Sequence, residues 1–342
     1  MDLLPTPEQD EIAASVAAVL ANELPTDRMR ELMTAPVPID RALWSRAGGL
    51  GWFTLGLPEG LGGVGYGLPE EALIFREIGK VIAPGPFAAT VIATRLAAAA
   101  GDLELAGALG AGELVAGLGS PRAGTVMTLG AEVTGQLELY DAAWADLVLV
   151  LEPDAAVLVD ASDLKNVTEL ACIDDATRLA RGSFESAPAR VWMADGNDFL
   201  HRGAVLVAAQ LAGMAEAVRD RATAYAKVRV QFGHPIGSYQ AVKHACADMA
   251  IRAEAAISQV FFAAVAVETG RRDAAFQASA AKIVAADAAH RNAAANVQIH
   301  GGMGFTFEQD AHLYVKRAHV LGQAFGSTAL HLGLALQRGP QD

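Results

Sequence analysis

Seven apolar residues, Val242, Cys246, Met249, Ala253, Ile257, Val260 and Ala264, recur at three- and four-residue spacing. On a helix of 3.6 residues per turn they make one unbroken stripe over about six turns, and a stripe that long must be covered by other helices. The spacing predicts that this helix stops at Thr269-Gly270 and that another runs from about Asp273 through Phe276, Ile283 and Val284 to Ile299. Long, alanine-rich helices joined by a short turn describe an antiparallel bundle.

Upstream the helical signals are shorter. Thr6, Pro7 and Gln9 make a helix start, with a hydroxyl cap, proline in the first turn and an amide three residues on; Ile12, Val16, Val19 and Leu20 follow on one face. Leu43 and Trp44 belong to a second short helix, which runs into a glycine-rich, proline-broken segment over 48–67 that reads as a structured loop. Helical spacing resumes from Leu68 to Val81, breaks at the APGPF run of 83–87, and returns to about Ala100. Between about Gly119 and Ala189 the texture changes to short runs such as TVMTL (125–129), QLELY (136–140), DLVLVL (146–151) and AAVLVD (155–160), which predict strands. From His201 the helical period returns. The expected fold class is α+β, mainly α: an N-terminal helical domain over 1–118, a short middle β-domain over 119–192 and a helical bundle over 193–342.

Composition narrows the function. Of the 342 residues, 52% are hydrophobic and 19% charged, too much buriable surface for a disordered chain. Acidic residues outnumber Lys and Arg 39 to 26, so a nucleic-acid binder with a broad basic footprint is excluded, and an anionic ligand needs a few local cations or helix ends. The two cysteines, Cys172 and Cys246, cannot build a disulfide framework, and the eight histidines show no H-E-x-x-H spacing, so no metal site is expected. The N-terminal run MDLLPTPEQDEIAASV carries acids where a secretion signal would carry positive charge. Uncharged apolar stretches such as Gly203–Ala215 fall short of the roughly 20 residues that cross a bilayer. The expectation is a cytoplasmic protein with no membrane span.

Two segments hold residue choices that a plain bundle does not require. In the run RVQFGHPIGSYQ over 229–240, a helix stops at a glycine, a proline-containing loop follows and a new helix begins. A helix start beside Arg229 can seat an anion, because unpaired N–H groups and a guanidinium fork converge there. An ordinary helix connection with a surface arginine has the same signature. The second run, QIHGGMGF over 298–305, ends a long helix with Gly301, Gly302 and Gly304, where a glycine cap needs only one. No strand precedes it, so it is a poor dinucleotide-binding turn of the Rossmann type.

Together with Ala247-Asp248-Met249, these runs resemble the C-terminal half of the acyl-CoA dehydrogenase family, whose pattern is R-x-x-F-G-x-x-I-x-x-x-Q, A-D-M and then Q-x-x-G-G-x-G-[FY]. The N-terminal half fits as well, with EQ near the start, then LW, GW, LGLPE, GG and a helix ending before AP. The resemblance covers roughly residues 5 to 118 and 195 to 330. It implies an acyl-CoA dehydrogenase-like fold with a C-terminal four-helix bundle, and FAD at a subunit interface, its ring in one protomer and its ADP half against the neighbour. The positions matching the family's ADP-side contacts are Arg229, Phe232, Gln240, Gln298, Gly301 and Gly302, with Gln231 beside them.

The sequence also departs from that family. Most members place a catalytic glutamate in a Y-E-G-T-like turn after the last long helix; spacing puts Phe325 there, in the run Gln323-Ala-Phe-Gly-Ser-Thr328. A minority place it near the start of the bundle's first helix, which here falls on Gly203. The flavin-side T-E-P-x-x-G-S-D stretch is absent from the middle segment. His201, Asp198, Glu308 and Asp310 are the remaining titratable candidates nearby in sequence, each also readable as solvated surface, and His300 reads as a packing or hydrogen-bonding residue. Loss of a general base costs about 10²–10⁴-fold in rate. The resemblance thus implies a subunit of an FAD-dependent acyl-CoA dehydrogenase that forms a trans-2-enoyl-CoA only with a homologous partner chain. Some actinobacterial members are such α2β2 assemblies, including ones acting on CoA-linked steroid side chains. An electron-transfer flavoprotein is the implied acceptor, and lipid or steroid catabolism the implied setting. A homomeric enzyme with a displaced base and a non-catalytic CoA- or flavin-binding scaffold are the alternatives.

Overall fold

A computed structural model describes residues 4–339. The chain divides into two compact units, 25–71 with 84–203 and 1–24 with 72–83 and 204–342.

The first unit holds four helices and a sheet. Helices α2 (Thr26–Thr34) and α3 (Arg41–Gly49) precede α5 (Phe87–Ala99) and α6 (Leu103–Gly110), while α4 (Leu68–Lys80) begins in this unit. Asp40 starts α3 by accepting from the Ala42 and Leu43 N–H groups, the usual answer to unpaired donors at a helix start. Trp44, Phe53 and Phe87 form the aromatic centre, with ring centroids 4.6–6.2 Å apart. Thr90 of α5 meets the next element through its hydroxyl, which bonds both the N–H and the C=O of Ala116.

The sheet has six strands, β1 (Ala116–Pro121), β2 (Glu132–Tyr140), β3 (Leu147–Glu152), β4 (Ala155–Asp160), β5 (Lys165–Leu170) and β6 (Leu179–Met193), in the order β2-β1-β3-β4-β6-β5. An additional β2–β6 pairing joins the ends of this run, leaving β5 as an appended strand. Val133, Leu137, Val148, Val150, Val157, Val159 and Phe184 fill its interior. The run 125–129 does not become a strand: only Thr128 makes a bridge, to Thr134, and Val126 is 88% exposed. β1 pairs with β2 only from Leu137 to Tyr140, and on the stretch before it the run makes a single two-bond bridge, Thr128 with Thr134, and no ladder.

The second unit contains α1 (Pro7–Glu23), the end of α4, most of α7 (Asn197–Val228), α8 (Gln240–Glu268), α9 (Ala274–His300), α10 (Ala311–Leu321) and α11 (Thr328–Arg338). The capping box at Thr6 and Gln9 is formed. By length and hydropathy alone α8 could cross a bilayer, yet its Met249, Ala253, Ala256 and Val260 are buried, and α8 packs along α9. Glycines set the contact between α4 and α7: a Cβ at Gly79 would lie 2.0 Å from the Gln210 carbonyl, and one at Gly213 2.0 Å from that of Arg76. The Arg76 guanidinium bonds both carboxylate oxygens of Glu216, each at 2.7 Å, and that neighbouring charge holds Glu216 below the usual glutamate range against the opposing effect of burial.

The most demanding group in this unit is Lys282, fully buried on α9. Its ammonium donates to the carbonyls of Gly322, Ala324 and Gly326 at 3.0, 2.8 and 2.8 Å, so each of its three protons has an acceptor. His331 of α11 completes the clamp, with Nε2 3.0 Å from the Phe325 carbonyl and Nδ1 3.3 Å from the Ser279 hydroxyl. The turn carrying Phe325 is therefore held from two sides by side chains. Lys282→Met keeps the volume but strands three carbonyls, and is expected to lower the unfolding free energy by about 2–4 kcal/mol in a urea titration; an unchanged midpoint would remove the clamp from the account. Burial pushes the Lys282 ammonium from 10.5 down to about 7. The unfolded chain then binds the extra proton between those values, so wild-type stability relative to Lys282→Met should grow as pH rises from about 7 towards 10. Paired urea titrations at neutral and alkaline pH check the sign.

Candidate functional site

The end of α7 turns through a hairpin before α8 begins. Strand β7 (Val230–Gln231) pairs with β8 (His234–Pro235), and the two residues between them, Phe232 and Gly233, have φ of 53° and 82°, the left-handed pair that a two-residue hairpin needs. The Ile236 N–H closes the hairpin onto the Arg229 carbonyl at 2.8 Å. The Gln231 amide donates to its neighbour's carbonyl at 3.0 Å, and its own carbonyl accepts from the Tyr239 hydroxyl at 3.1 Å. Phe232 stands 91% exposed. Arg229 is exposed too, and among the described residues its guanidinium has no hydrogen-bond or ion-pair partner. Helix α8 starts at Gln240 without a side-chain cap and without an acid in its first turn, so its N-terminal partial positive charge is uncompensated.

The end of α9 supplies the other half. Gln298 is exposed on its last turn, and His300 is buried, its Nδ1 2.8 Å from the Asn296 carbonyl. The His300 ring stacks on Tyr225 of α7 at 4.2 Å, which brings the Arg229 hairpin and the glycine turn to one end of the bundle. Tyr225 carries no sequence signal beyond its place one helical turn before Arg229. The three glycines of the turn differ in purpose. Gly304 is needed by the fold, since a Cβ there would lie 2.6 Å from the Val297 carbonyl. Gly301 is needed by its backbone, at φ 61°. Gly302 has neither reason: its φ is ordinary, and nothing lies within 4 Å of where its Cβ would be.

This end of the bundle also exposes Val228, Val230, Met303, Phe305 and Phe307. Arg229, Gln231, Phe232, Gln240, Gln298, Gly301 and Gly302 thus all lie on its two loops and the adjoining helix ends. An unpaired arginine, an uncapped helix start and an open glycine backbone can hold a phosphorylated anion by charge and N–H donation.

The positions where a base was sought are elsewhere and carry no carboxylate. Phe325 lies at the clamped turn with φ 53° and 7% exposure, and Gly203 is buried within α7. Asp198 accepts from the buried Arg202 guanidinium at 2.8 Å, and Asp310 pairs with Arg221 at 3.2 Å, so both carboxylates are engaged. A separate cavity of about 310 Å³ opens in the first unit beside Trp144, Cys172, Asp174 and Arg178. It contains none of the predicted site residues.

Comparison with known proteins supplies the frame for these observations. The model described as the acyl-CoA dehydrogenase C-terminal domain matches residues 195–339, and that of the acyl-CoA dehydrogenase N-terminal domain matches residues 6–107. Acyl-CoA dehydrogenase FadE34 of Mycobacterium tuberculosis is 36% identical over 291 residues, 84% of this chain but 40% of that protein, so the chain spans well under half of its length. Acyl-CoA dehydrogenase IpdE2 of the same organism is 29% identical over 343 residues, 95% of each chain. Among solved structures, the ChsE4-ChsE5 complex from Mycobacterium tuberculosis superposes with a TM-score of 0.88 at 25% identity, covering all of both chains. With both ends matched and the fold shared along its length, the chain belongs to the acyl-CoA dehydrogenase family.

Proposed function

We propose that this chain is one subunit of a heteromeric, FAD-dependent acyl-CoA dehydrogenase, and that it closes the ADP end of a flavin whose reaction site is completed by a homologous partner. The observation that carries this is the contrast between the two ends of its chemistry. Arg229, the α8 start and Gly302 are open and uncommitted, whereas residue 325 is a buried phenylalanine and residue 203 a glycine.

The residues fit an FAD pyrophosphate. The unpaired Arg229 guanidinium offers two charge-assisted donors, the uncapped start of α8 offers further N–H donors, and Gly302 leaves its backbone approachable. Gln240 and Gln298 supply amides for neutral hydrogen bonds, and Gln231, already tied to the hairpin, supports the loop. FAD, when bound, supplies the hydride acceptor for α,β-dehydrogenation of an acyl-CoA thioester. This chain's own part is to anchor and orient, because neither family position for the α-proton base holds a titratable group. The exposed Phe232, Phe305 and Phe307 call for a cover, and a homologous chain would bury them. The ChsE4-ChsE5 neighbour is a complex of two differently named chains, which supports a hetero-assembly. The division at 118 and 192, the cytoplasmic setting and an electron-transfer flavoprotein as acceptor belong to this same reading.

Co-expression with a base-bearing homologue is expected to give a yellow complex whose 450 nm absorbance bleaches on addition of an acyl-CoA, while the chain alone is expected to lack turnover. Turnover by the purified lone chain would refute the subunit assignment. Within the complex, Arg229→Ala removes the charged fork and should weaken FAD binding about 10–100-fold, read by flavin fluorescence on titration. Retention of wild-type affinity would place the pyrophosphate elsewhere.

A further inference from the structure

Away from that end of the bundle, two imidazoles from different helices meet. His290 of α9 and His319 of α10 have Nε2 and Nδ1 2.7 Å apart, with ring centroids 4.0 Å apart and planes at 59°. His319 is exposed and His290 half-buried, so the pair is open to solvent on one side. The contact joins Nε2 of one ring to Nδ1 of the other, so one ring carries the shared proton and the other accepts it. Neither ring is used by the nucleotide site, and neither is needed for the bundle contacts of α9, whose buried side chains on that stretch are Ala285, Ala286, Ala288 and Ala289.

We propose that His290 and His319 form a surface site for a divalent transition-metal ion of the imidazole-preferring kind, copper, nickel or zinc, bridging α9 and α10. At the right-angled positions of a square-planar or octahedral copper or nickel ion, two imidazole nitrogens roughly 2.0–2.1 Å from the metal stand about 2.9 Å apart, about 0.2 Å more than their hydrogen-bonded separation, whereas a tetrahedral zinc ion needs about 3.3 Å. As the metal takes both facing nitrogens, the proton shared between them moves to the other nitrogen of the ring that carried it, so binding releases no net proton from a neutral pair. Among the described residues no third histidine, cysteine or carboxylate joins the group. Asp287, one turn before His290, is held by Arg291 at 2.8 Å, and water completes the coordination. Two protein ligands place the affinity for copper, the tightest of the three by the usual order, at a Kd on the order of 10 µM.

The test uses the full chain, alone or in its complex, titrated with copper(II) sulfate. Wild type is expected to give an electron paramagnetic resonance spectrum with splitting from two nitrogens and a melting temperature that rises with added copper, since the metal binds only the folded pair. His319→Ala, at an exposed position, should weaken binding at least 10-fold and abolish the two-nitrogen pattern, and His290→Gln should do the same. His244→Ala, on the exposed start of α8, should leave both readouts unchanged. Equal copper affinity in wild type and both pair variants would overturn the site, as would the absence of any binding at 100 µM copper. The outcome is independent of whether the chain anchors a flavin.

Discussion

The constraint on which the second unit depends is the burial of α9. The helix packs against α8, α10 and α11, and most of what it buries is alanine, which fixes distance but not register. Register comes from the few polar groups caught in the same interface, because a buried donor or acceptor without a partner costs about 1–3 kcal/mol. Lys282 has to find three acceptors and finds them in the turn after α10. Asn292 donates to the Ala215 carbonyl of α7 and the Met249 carbonyl of α8 and accepts from Arg252, tying three helices at one level. His300 reaches back to Asn296 and stacks on Tyr225, setting the end of α7 against the glycine turn. Asn296 is the exception, buried with neither side-chain atom bonded, and the fold gives no reason for its amide.

These polar anchors explain what could be read without coordinates. A helix whose apolar residues repeat every three to four positions announces itself, so α8 and α9 were legible almost to their ends, as were the capped start at Thr6, the break at 83–87, and strands β3 and β4 with their continuous apolar runs. Strand β1 was hidden because Gly117 and Gly119 make it look like a loop; in the fold a Cβ at Gly117 would lie 2.3 Å from Ala142 Cα and one at Gly119 2.8 Å from the Val148 side chain. The 15-residue β6 was hidden by Pro188 and by charges that point outward. The run at 125–129 has the composition of a strand, and its pairing with β2 stops at the one bridge between Thr128 and Thr134.

The candidate site divides in the same way. The glycine cluster was legible because three glycines exceed what a helix cap needs, and a Cβ at Gly302 would still meet nothing within 4 Å, whereas Arg229 and Gln298 came into view through their match to the family pattern. The ring stack that unites the two loops, and the lysine that governs the turn at residue 325, were not legible. Both are contacts between distant stretches of chain, made by residues of ordinary types at unremarkable spacing.

Position 325 shows how a turn can be held independently of the side chain it carries. A phenylalanine at φ 53° carries about 1–2 kcal/mol of left-handed strain, whereas burying its side chain returns roughly 1.5–3 kcal/mol. The exchange is neutral to favourable only while the turn stays where Lys282 and His331 hold it, through the carbonyls of 322, 324, 325 and 326. Those bonds go to backbone atoms and are indifferent to the side chain at 325. The turn therefore keeps its shape whatever side chain stands at 325, and a change there leaves the packing of α9 against α10 and α11 intact.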